Sequence, residues 1–166
     1  RLFSRFGSMF FSDPVSAFAN LRSLLTDDGR IDLAVWGPPR ENLWMMEMMG
    51  TVREHVEVPR AEPRAPGPFA FEDLDYLREV LTAAGFGGIA IDAYAGRQAI
   101  GGPDASPQEA LDMVLSSMGI GRVVDEQDKA KQAAIRADLL ALFEKRHVPG
   151  EGVLMAAKAW LVSANC

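Results

Sequence analysis

The chain opens with RLFSRFGSMFFSDPVSAFANLRSLLTDDGRIDLAVW (residues 1–36), which carries the signals of a strand, a helix and a second strand in that order. Residues 1–11 are apolar and aromatic and predict the end of a buried strand followed by a loop. Asp13-Pro14 predicts the start of a helix, because it supplies a capping carboxylate and a proline at the first helical position. Residues 31–36 predict a second short strand. Such a unit predicts a right-handed crossover between parallel strands.

The rest of the chain alternates helical and strand patterns. The predicted elements are a methionine-rich helix at 41–57, a helix beginning at the Asp73 cap, a strand at 88–95, a glycine-rich loop at 96–105, a helix beginning at the Ser106 capping box, a helix at 125–146 and a strand at 152–164. We therefore expect an α/β fold.

The amino-acid composition excludes several classes of protein and of binding partner. With 166 residues, 48% hydrophobic and 24% charged, the chain has the balance of a globular domain, which excludes a disordered chain, a collagen-like fibre and a simple coiled coil. A net charge of −6 argues against nucleic acid or an anionic membrane as partner. No apolar run is long enough to span a membrane. The single cysteine, Cys166, is typical of a reducing compartment, so we expect a cytoplasmic protein.

The order of these elements and several phrases resemble a class I S-adenosylmethionine-dependent methyltransferase. Residues 4–36 resemble its fourth strand, the following helix and its fifth strand, and ENLW at 41–44 is similar to the Glu-Asn-Pro-Trp phrase that follows. Residues 66–86 resemble the segment leading to its sixth strand. Residues 152–164 resemble its closing antiparallel strand.

The resemblance implies a partial Rossmann-like methyltransferase sheet, strands four to seven, with flanking helices and a helical insertion. Residues 1–96 and 151–166 would form the C-terminal half of the methyltransferase domain, and residues 97–150 the insertion. The family's glycine-rich turn and acidic residue, which hold the cofactor, are not found in these residues. We predict helix caps at Gly85–Gly88 and Gly119–Gly121, since both follow helices.

The implied function is transfer of a methyl group from S-adenosylmethionine to a small-molecule acceptor. Because the glycine-rich turn is missing, we expect cofactor contacts to lie upstream of Arg1 and the isolated chain to be inactive. Methyl transfer from a sulfonium mainly requires orientation and exclusion of water, so no catalytic residue is assigned. Only two histidines occur, His55 and His147, without the spacing of a zinc site, and no metal is expected.

Ligands of open α/β sheets bind beyond the carboxyl ends of the strands. This rule, together with the resemblance, selects the residues after the first predicted strand as cofactor-binding: Ser4, Arg5, Phe6 and Gly7. Arg5 would pair with a carboxylate, or be an ordinary surface arginine. Apolar residues that would line the acceptor pocket are Phe10, Phe11, Trp36, Trp44 and Met45. Core packing is the alternative role for the aromatic residues.

Two other functional classes stay open at this point. The chain could be a truncated or degenerate domain that acts only through protein–protein packing. Residues 2–6 would then be an exposed apolar edge, which predicts a homodimer or pairing with another chain. The second class is a small-ligand carrier, which would need a closed pocket made by these residues alone.

Overall fold

A computed structural model describes residues 1–59 and 62–166, which form an open mixed sheet with flanking helices. The strands are β1 (Leu2–Arg5), β2 (Arg30–Trp36), β3 (Gly87–Ile100), β4 (His147–Val148) and β5 (Gly152–Asn165). The helices are α1 (Pro14–Ser23), α2 (Leu43–Arg53), α3 (Leu74–Ala83), α4 (Pro107–Ser117), α5 (Gly119–Asp125) and α6 (Lys129–Arg146). No helix in the described residues is long and apolar enough to cross a membrane.

The sheet has the strand order β1-β2-β5-β3, and β4 pairs with β5 outside this row. β1 and β2 are parallel, with Leu2 opposite Ile31. β2 and β5 are antiparallel, from Arg30 opposite Asn165 to Trp36 opposite Ala159. The predicted α/β class, the parallel strands joined by α1 and the closing antiparallel strand are therefore confirmed. The last strand of the chain lies inside the sheet, between β2 and β3.

The chain divides into two compact units. The described residues of the first unit are Arg1–Glu41, 62–95 and Lys158–Cys166, and those of the second are 42–59 and Gly96–Ala157. β3 and β5 contribute residues to both. The second unit thus includes α2 and all of the predicted insertion, residues 97–150. The predicted domain boundaries, 1–96 with 151–166 and 97–150, stay a prediction.

The core of the first unit lies between the sheet and the helices α1 and α3. Alternate residues of β2 point into it, and Ile31, Leu33 and Val35 are buried. Phe18 of α1 is completely buried and contacts the Phe71 ring at 6.1 Å between centroids. Because strand side chains alternate between faces, the same strands turn a second set of residues away from this core.

The second unit has a separate helical core. Met48 of α2 and Ile135, Leu139 and Phe143 of α6 are fully buried. Polar contacts flank this core: the Arg146 guanidinium donates to both carboxylate oxygens of Glu47, and His55 Nε2 lies 2.7 Å from Asp138 Oδ2. The two contacts fix α2 and α6 side by side in opposite directions.

Helix starts agree with the sequence predictions. The Asp13 carboxylate accepts from the Ser16 amide, the Asp73 carboxylate from the Asp75 and Tyr76 amides, and Ser106 and Glu109 form the complete capping box. Each contact satisfies helix N–H groups that have no partner within the helix. Local side chains therefore set these boundaries.

Several predicted boundaries were wrong. The glycine-rich stretch 96–105 is not all loop, because β3 continues to Ile100. Gly119–Gly121 begins α5 rather than capping the preceding helix. A Cβ on Gly121 would lie only 1.7 Å from the Leu115 carbonyl oxygen, so glycine there permits a close approach of two backbones. The helix predicted at 125–146 begins at Lys129.

Removing a buried ring should show which residues hold the first unit together. Phe18→Ala should lower the free energy of unfolding by about 3–5 kcal/mol, because it leaves a cavity between α1 and the sheet. Leu24→Ala, which removes a strongly exposed side chain just beyond the same helix, should change it by less than about 0.5 kcal/mol. Urea unfolding measures both variants, and equal losses would contradict this description of the core.

Candidate functional site

The carboxyl ends of β1 and β2 meet at one edge of the sheet, where the chain makes a strained turn. Phe6, directly after β1, has a φ of +58°. Its amide still donates to the Ala34 carbonyl of β2 at 2.9 Å, so the turn is tied to the sheet. A bulky residue in the left-handed region costs about 1–3 kcal/mol, and such strain is concentrated at functional sites.

Two aromatic rings stack at this edge. Phe6 lies 3.9 Å from Trp36 between ring centroids, with only 11° between the planes. The end of β2 is held from the other side, where the Gly37 amide donates to the Lys158 carbonyl of β5 at 2.9 Å. The ends of β1 and β2 therefore carry the left-handed turn at Phe6 and a flat apolar surface formed by the two stacked rings.

A buried hydroxyl follows the turn. Ser8 is 2% exposed, and its Oγ has no hydrogen-bond partner among the described residues. Gly7 beside it is exposed, and a Cβ there would meet only Ser4 Oγ, at an ordinary 3.5 Å. Leaving a buried hydroxyl without a partner costs about 1–3 kcal/mol, so Ser8 has the capacity to bind a polar group.

The structure brings together most of the residues that the sequence assigned to a site. The cofactor candidates Ser4, Arg5, Phe6 and Gly7 are consecutive at this edge, beside Trp36. Their assignment to a cofactor stays a prediction.

The acceptor candidates are dispersed. Phe10 is exposed in the turn after β1, whereas the Phe11 ring contacts the buried Phe18 ring edge-on at 5.8 Å. Trp44 and Met45 belong to α2 in the second unit. Trp44 is buried there and its indole N–H donates to Asn42 Oδ1 at 3.0 Å, which is a core contact of that unit. The acceptor pocket stays a prediction.

The first unit has a second feature that was not predicted from the sequence, the sheet face turned away from α1 and α3. We call it the open face. It is a groove of about 530 Å³. Residues that line it include Phe3, Arg5, Phe6, Asp32, Asp92, Tyr94 and Leu161. A strand with apolar residues on both of its faces predicts that each face of the sheet packs against something, and this pattern could have predicted the open face.

One carboxylate of the open face is already paired. Asp32 accepts from Arg1 Nε at 2.7 Å and from Arg30 Nε at 2.9 Å. The hydrogen bond from Arg30, with that from Arg1, holds the pKa of the Asp32 carboxyl below its ordinary value. Among the residues that the structure describes, no group of three or more metal-binding side chains occurs.

Comparisons with known proteins add the following. No family model matches the chain, and no curated protein matches it. Several solved structures do match. One is a candidate methyltransferase from Bacillus halodurans C-125, which is 11% identical to this chain with a TM-score of 0.48. The match covers 99% of this chain and 63% of that protein. Phosphoethanolamine N-methyltransferase 2 of Haemonchus contortus, with phosphomonomethylethanolamine and S-adenosylhomocysteine, is 9% identical with a TM-score of 0.40. The same protein with S-adenosylmethionine is 10% identical with a TM-score of 0.37. Each of these two matches covers 98% of this chain and 32% of the Haemonchus contortus chain. The chain thus spans less than two thirds of each.

The contribution of the stacked rings can be separated from the strain of the turn. Phe6→Leu keeps an apolar side chain at the left-handed position but removes the ring, so it should lower the free energy of unfolding by about 0.5–1.5 kcal/mol. Phe6→Tyr keeps the stack and should stay within about 0.5 kcal/mol of the parent. Chemical denaturation with tryptophan fluorescence measures both. Equal stability of the two variants would show that the stack contributes nothing.

The Asp32 ion pairs predict a dependence of stability on pH. Because the folded pKa of Asp32 is lowered, its stabilisation is present above the unfolded value of about 3.9 and is lost as the pH falls through the folded pKa. The stability advantage of the parent over Asp32→Asn should therefore shrink steadily below about pH 4. Asp92→Asn is the control, because it removes from the same face a carboxylate that has no ion pair or hydrogen bond within residues 1–59 and 62–166. Parallel pH curves for the parent and Asp32→Asn would contradict the prediction.

Proposed function

We propose that this chain forms part of an S-adenosylmethionine-dependent methyltransferase domain. In this proposal the carboxyl ends of β1 and β2 face the cofactor. The observation that carries the proposal is the strained turn at Phe6 followed by the Ser8 hydroxyl, which has no hydrogen-bond partner among the residues that the structure describes. The resemblance of residues 4–36 supplies the class of ligand. The strand order supports it, because an antiparallel closing strand is what the resemblance implied.

The residues at this edge fit part of that cofactor. Ser8 has a hydroxyl with no partner in the described part of the chain, and the exposed Gly7 leaves its main chain accessible. The stacked Phe6 and Trp36 offer a flat apolar surface. When bound, S-adenosylmethionine supplies a methyl group on a positively charged sulfur. The role of this chain is then to bind one side of the cofactor, to orient it and to exclude water from it.

The acceptor in this proposal is a small molecule. Its support is limited to the exposed Phe10 ring in the turn after β1, since binding pockets for small molecules are lined mainly by apolar and aromatic groups. The glycine-rich turn and acidic residue of the family are absent from this sequence. We therefore expect weak cofactor binding and no methyl transfer by these residues alone.

Weak binding is measurable residue by residue. Titration of the ¹⁵N-labelled chain with S-adenosylhomocysteine should shift the amide resonances of residues 4–8 and 36–37, with a Kd weaker than about 10 μM. Resonances of α6 should not move. Tight binding would overturn the expectation that contacts are missing, and the absence of any shift at millimolar ligand would overturn the proposed function in favour of a module that only packs against a partner.

Ser8 gives a matched test of the same site. Ser8→Ala should abolish or strongly reduce the ligand-induced shifts. It should leave the stability of the free chain equal or higher, because it removes a buried hydroxyl that has no partner among the described residues. Ser117→Ala, at an exposed position of α4, should change neither property. A Ser8→Ala chain that binds as well as the parent, or that loses more than about 1 kcal/mol of stability, would show that the hydroxyl has another role.

A further inference from the structure

A lysine of β5 lies beside the carboxyl end of β2, and its side chain is held in place there. The Gly37 amide donates to the Lys158 carbonyl at 2.9 Å, and the Lys158 side chain lies across the glycine. A Cβ on Gly37 would lie only 2.7 Å from Lys158 Cγ, so glycine at this position makes room for the lysine stem. The Lys158 side chain is 17% exposed. Much of the side-chain entropy that a ligand contact would cost is therefore already lost on folding.

The ammonium group of this lysine lies between an aromatic ring and a carboxylate. Lys158 Nζ is 5.3 Å from the centroid of the Trp160 ring, which is within the range of a cation–π contact. It is 3.7 Å from Glu41 Oε2, an ion pair longer than a hydrogen bond, and the Glu41 side chain is 43% exposed. Arg40 also lies 3.9 Å from this carboxylate. Two cations thus share Glu41, and an anion from solution could replace it beside Lys158.

Trp160 adds a hydrogen-bond donor next to this cation. Its Nε1 is buried and has no hydrogen-bond partner within residues 1–59 and 62–166. Leaving a buried donor unpaired is unfavourable, so an acceptor oxygen brought to it would be favoured. Lys158 and Trp160 are two residues apart on β5, so their side chains lie on the same face of the sheet. One strand therefore presents a cation and an N–H donor side by side.

We propose that Lys158 binds an anionic group, a phosphate or a carboxylate, of the methyl acceptor, with the Trp160 indole N–H as a second donor. The inference rests on the proposed function, because that function is what makes the bound molecule a methyl acceptor. In the free protein Glu41 occupies the place of the anion. Binding then exchanges one partly exposed ion pair for a contact with the ligand.

The strand order favours the acceptor over the cofactor as the source of the anion. The cofactor candidates at residues 4–7 lie at the end of β1, whereas Lys158 belongs to β5, two strands away in the row β1-β2-β5-β3. Neighbouring strands are about 4.8 Å apart, so the Lys158 backbone is roughly 10 Å from the end of β1. A cofactor at β1 and an acceptor held from β5 would meet over the end of β2.

Titration of the ¹⁵N-labelled chain with inorganic phosphate tests the anion site. Sodium chloride at the same ionic strength is the reference, since it screens charges equally. Phosphate should shift the Trp160 indole N–H and the Lys158 amide, with a Kd of about 1–10 mM. Resonances of α6 should not move.

Substitution of the lysine separates a specific contact from general attraction. Lys158→Gln should raise the phosphate Kd at least about 10-fold, whereas Lys158→Arg keeps the charge and should stay within about threefold of the parent. Lys145→Gln removes the same charge from an exposed position of α6 and should leave the Kd unchanged. Circular dichroism of each variant verifies that the fold is retained.

Substitution of the carboxylate predicts a change of the opposite sign. Glu41→Gln removes the group that competes with the ligand, so it should lower the phosphate Kd about two- to fivefold, the size expected of a partly exposed ion pair. If Lys158 and Glu41 only stabilised the fold, this variant would bind phosphate no better than the parent. That result would contradict the proposed exchange.

S-adenosylhomocysteine distinguishes the two sources of the anion. An anion of the acceptor predicts that Lys158→Gln keeps the S-adenosylhomocysteine Kd within about twofold of the parent, because the sites are separate, and that phosphate binds in its presence. Weaker S-adenosylhomocysteine binding by Lys158→Gln, or its displacement by phosphate, would assign the lysine to the cofactor carboxylate and overturn the proposal.

The same titrations let this inference and the proposed function fail separately. S-adenosylhomocysteine shifts at residues 4–8 without phosphate shifts at Lys158, or with phosphate shifts that Lys158→Gln does not reduce, would overturn the inference alone. Phosphate binding at Lys158 without any response to millimolar S-adenosylhomocysteine would overturn the proposed function, and with it the identification of the anion as part of a methyl acceptor.

Discussion

The backbone pairing of β2 with β5 is the interaction on which the rest of the structure depends. Seven consecutive residue pairs join Arg30–Trp36 to residues 159–165 in antiparallel register. This pairing brings the C-terminal strand into the middle of the sheet. It also separates β2 from β3, although those strands are neighbours in sequence order. Without it, β1 and β2 would form a two-stranded ribbon, which is at best marginally stable in water.

Both candidate surfaces of the first unit follow from this pairing. The end of β2 is fixed when the Gly37 amide donates to the Lys158 carbonyl, and Trp36 is thereby held beside the left-handed turn at Phe6. On the sheet face turned away from α1 and α3, the same pairing sets Leu161 opposite Ala34. The candidate ligand edge and the open face thus belong to one hydrogen-bonded frame, and Phe6 contributes to both.

Much of this fold could be predicted from local sequence, because local side chains determine it. The capping carboxylates of Asp13 and Asp73 act within four residues of themselves. The parallel pair β1 and β2 followed from the strand–helix–strand pattern. The extension of β3 to Ile100 could not be predicted in this way, since a glycine-rich stretch becomes a strand only when a distant partner supplies its hydrogen bonds.

The site was predictable to a lesser degree. Sequence order placed Ser4–Gly7 at a strand end, and the general position of ligands in open sheets then selected them. The positive φ of Phe6, the lack of a partner for the Ser8 hydroxyl among the described residues and the burial of Trp44 all depend on tertiary contacts. The open face was missed for a related reason: alternation shows that a strand has two faces, but not which of them helices cover.

Backbone NOEs between β2 and β5 in the isotopically labelled chain test the account most directly. We expect cross-strand contacts that join Leu33 to Val162 and Ile31 to Ala164, in the antiparallel register described above. Contacts that instead join β2 directly to β3, or a disordered residue range 159–165, would contradict the strand order from which both surfaces are derived.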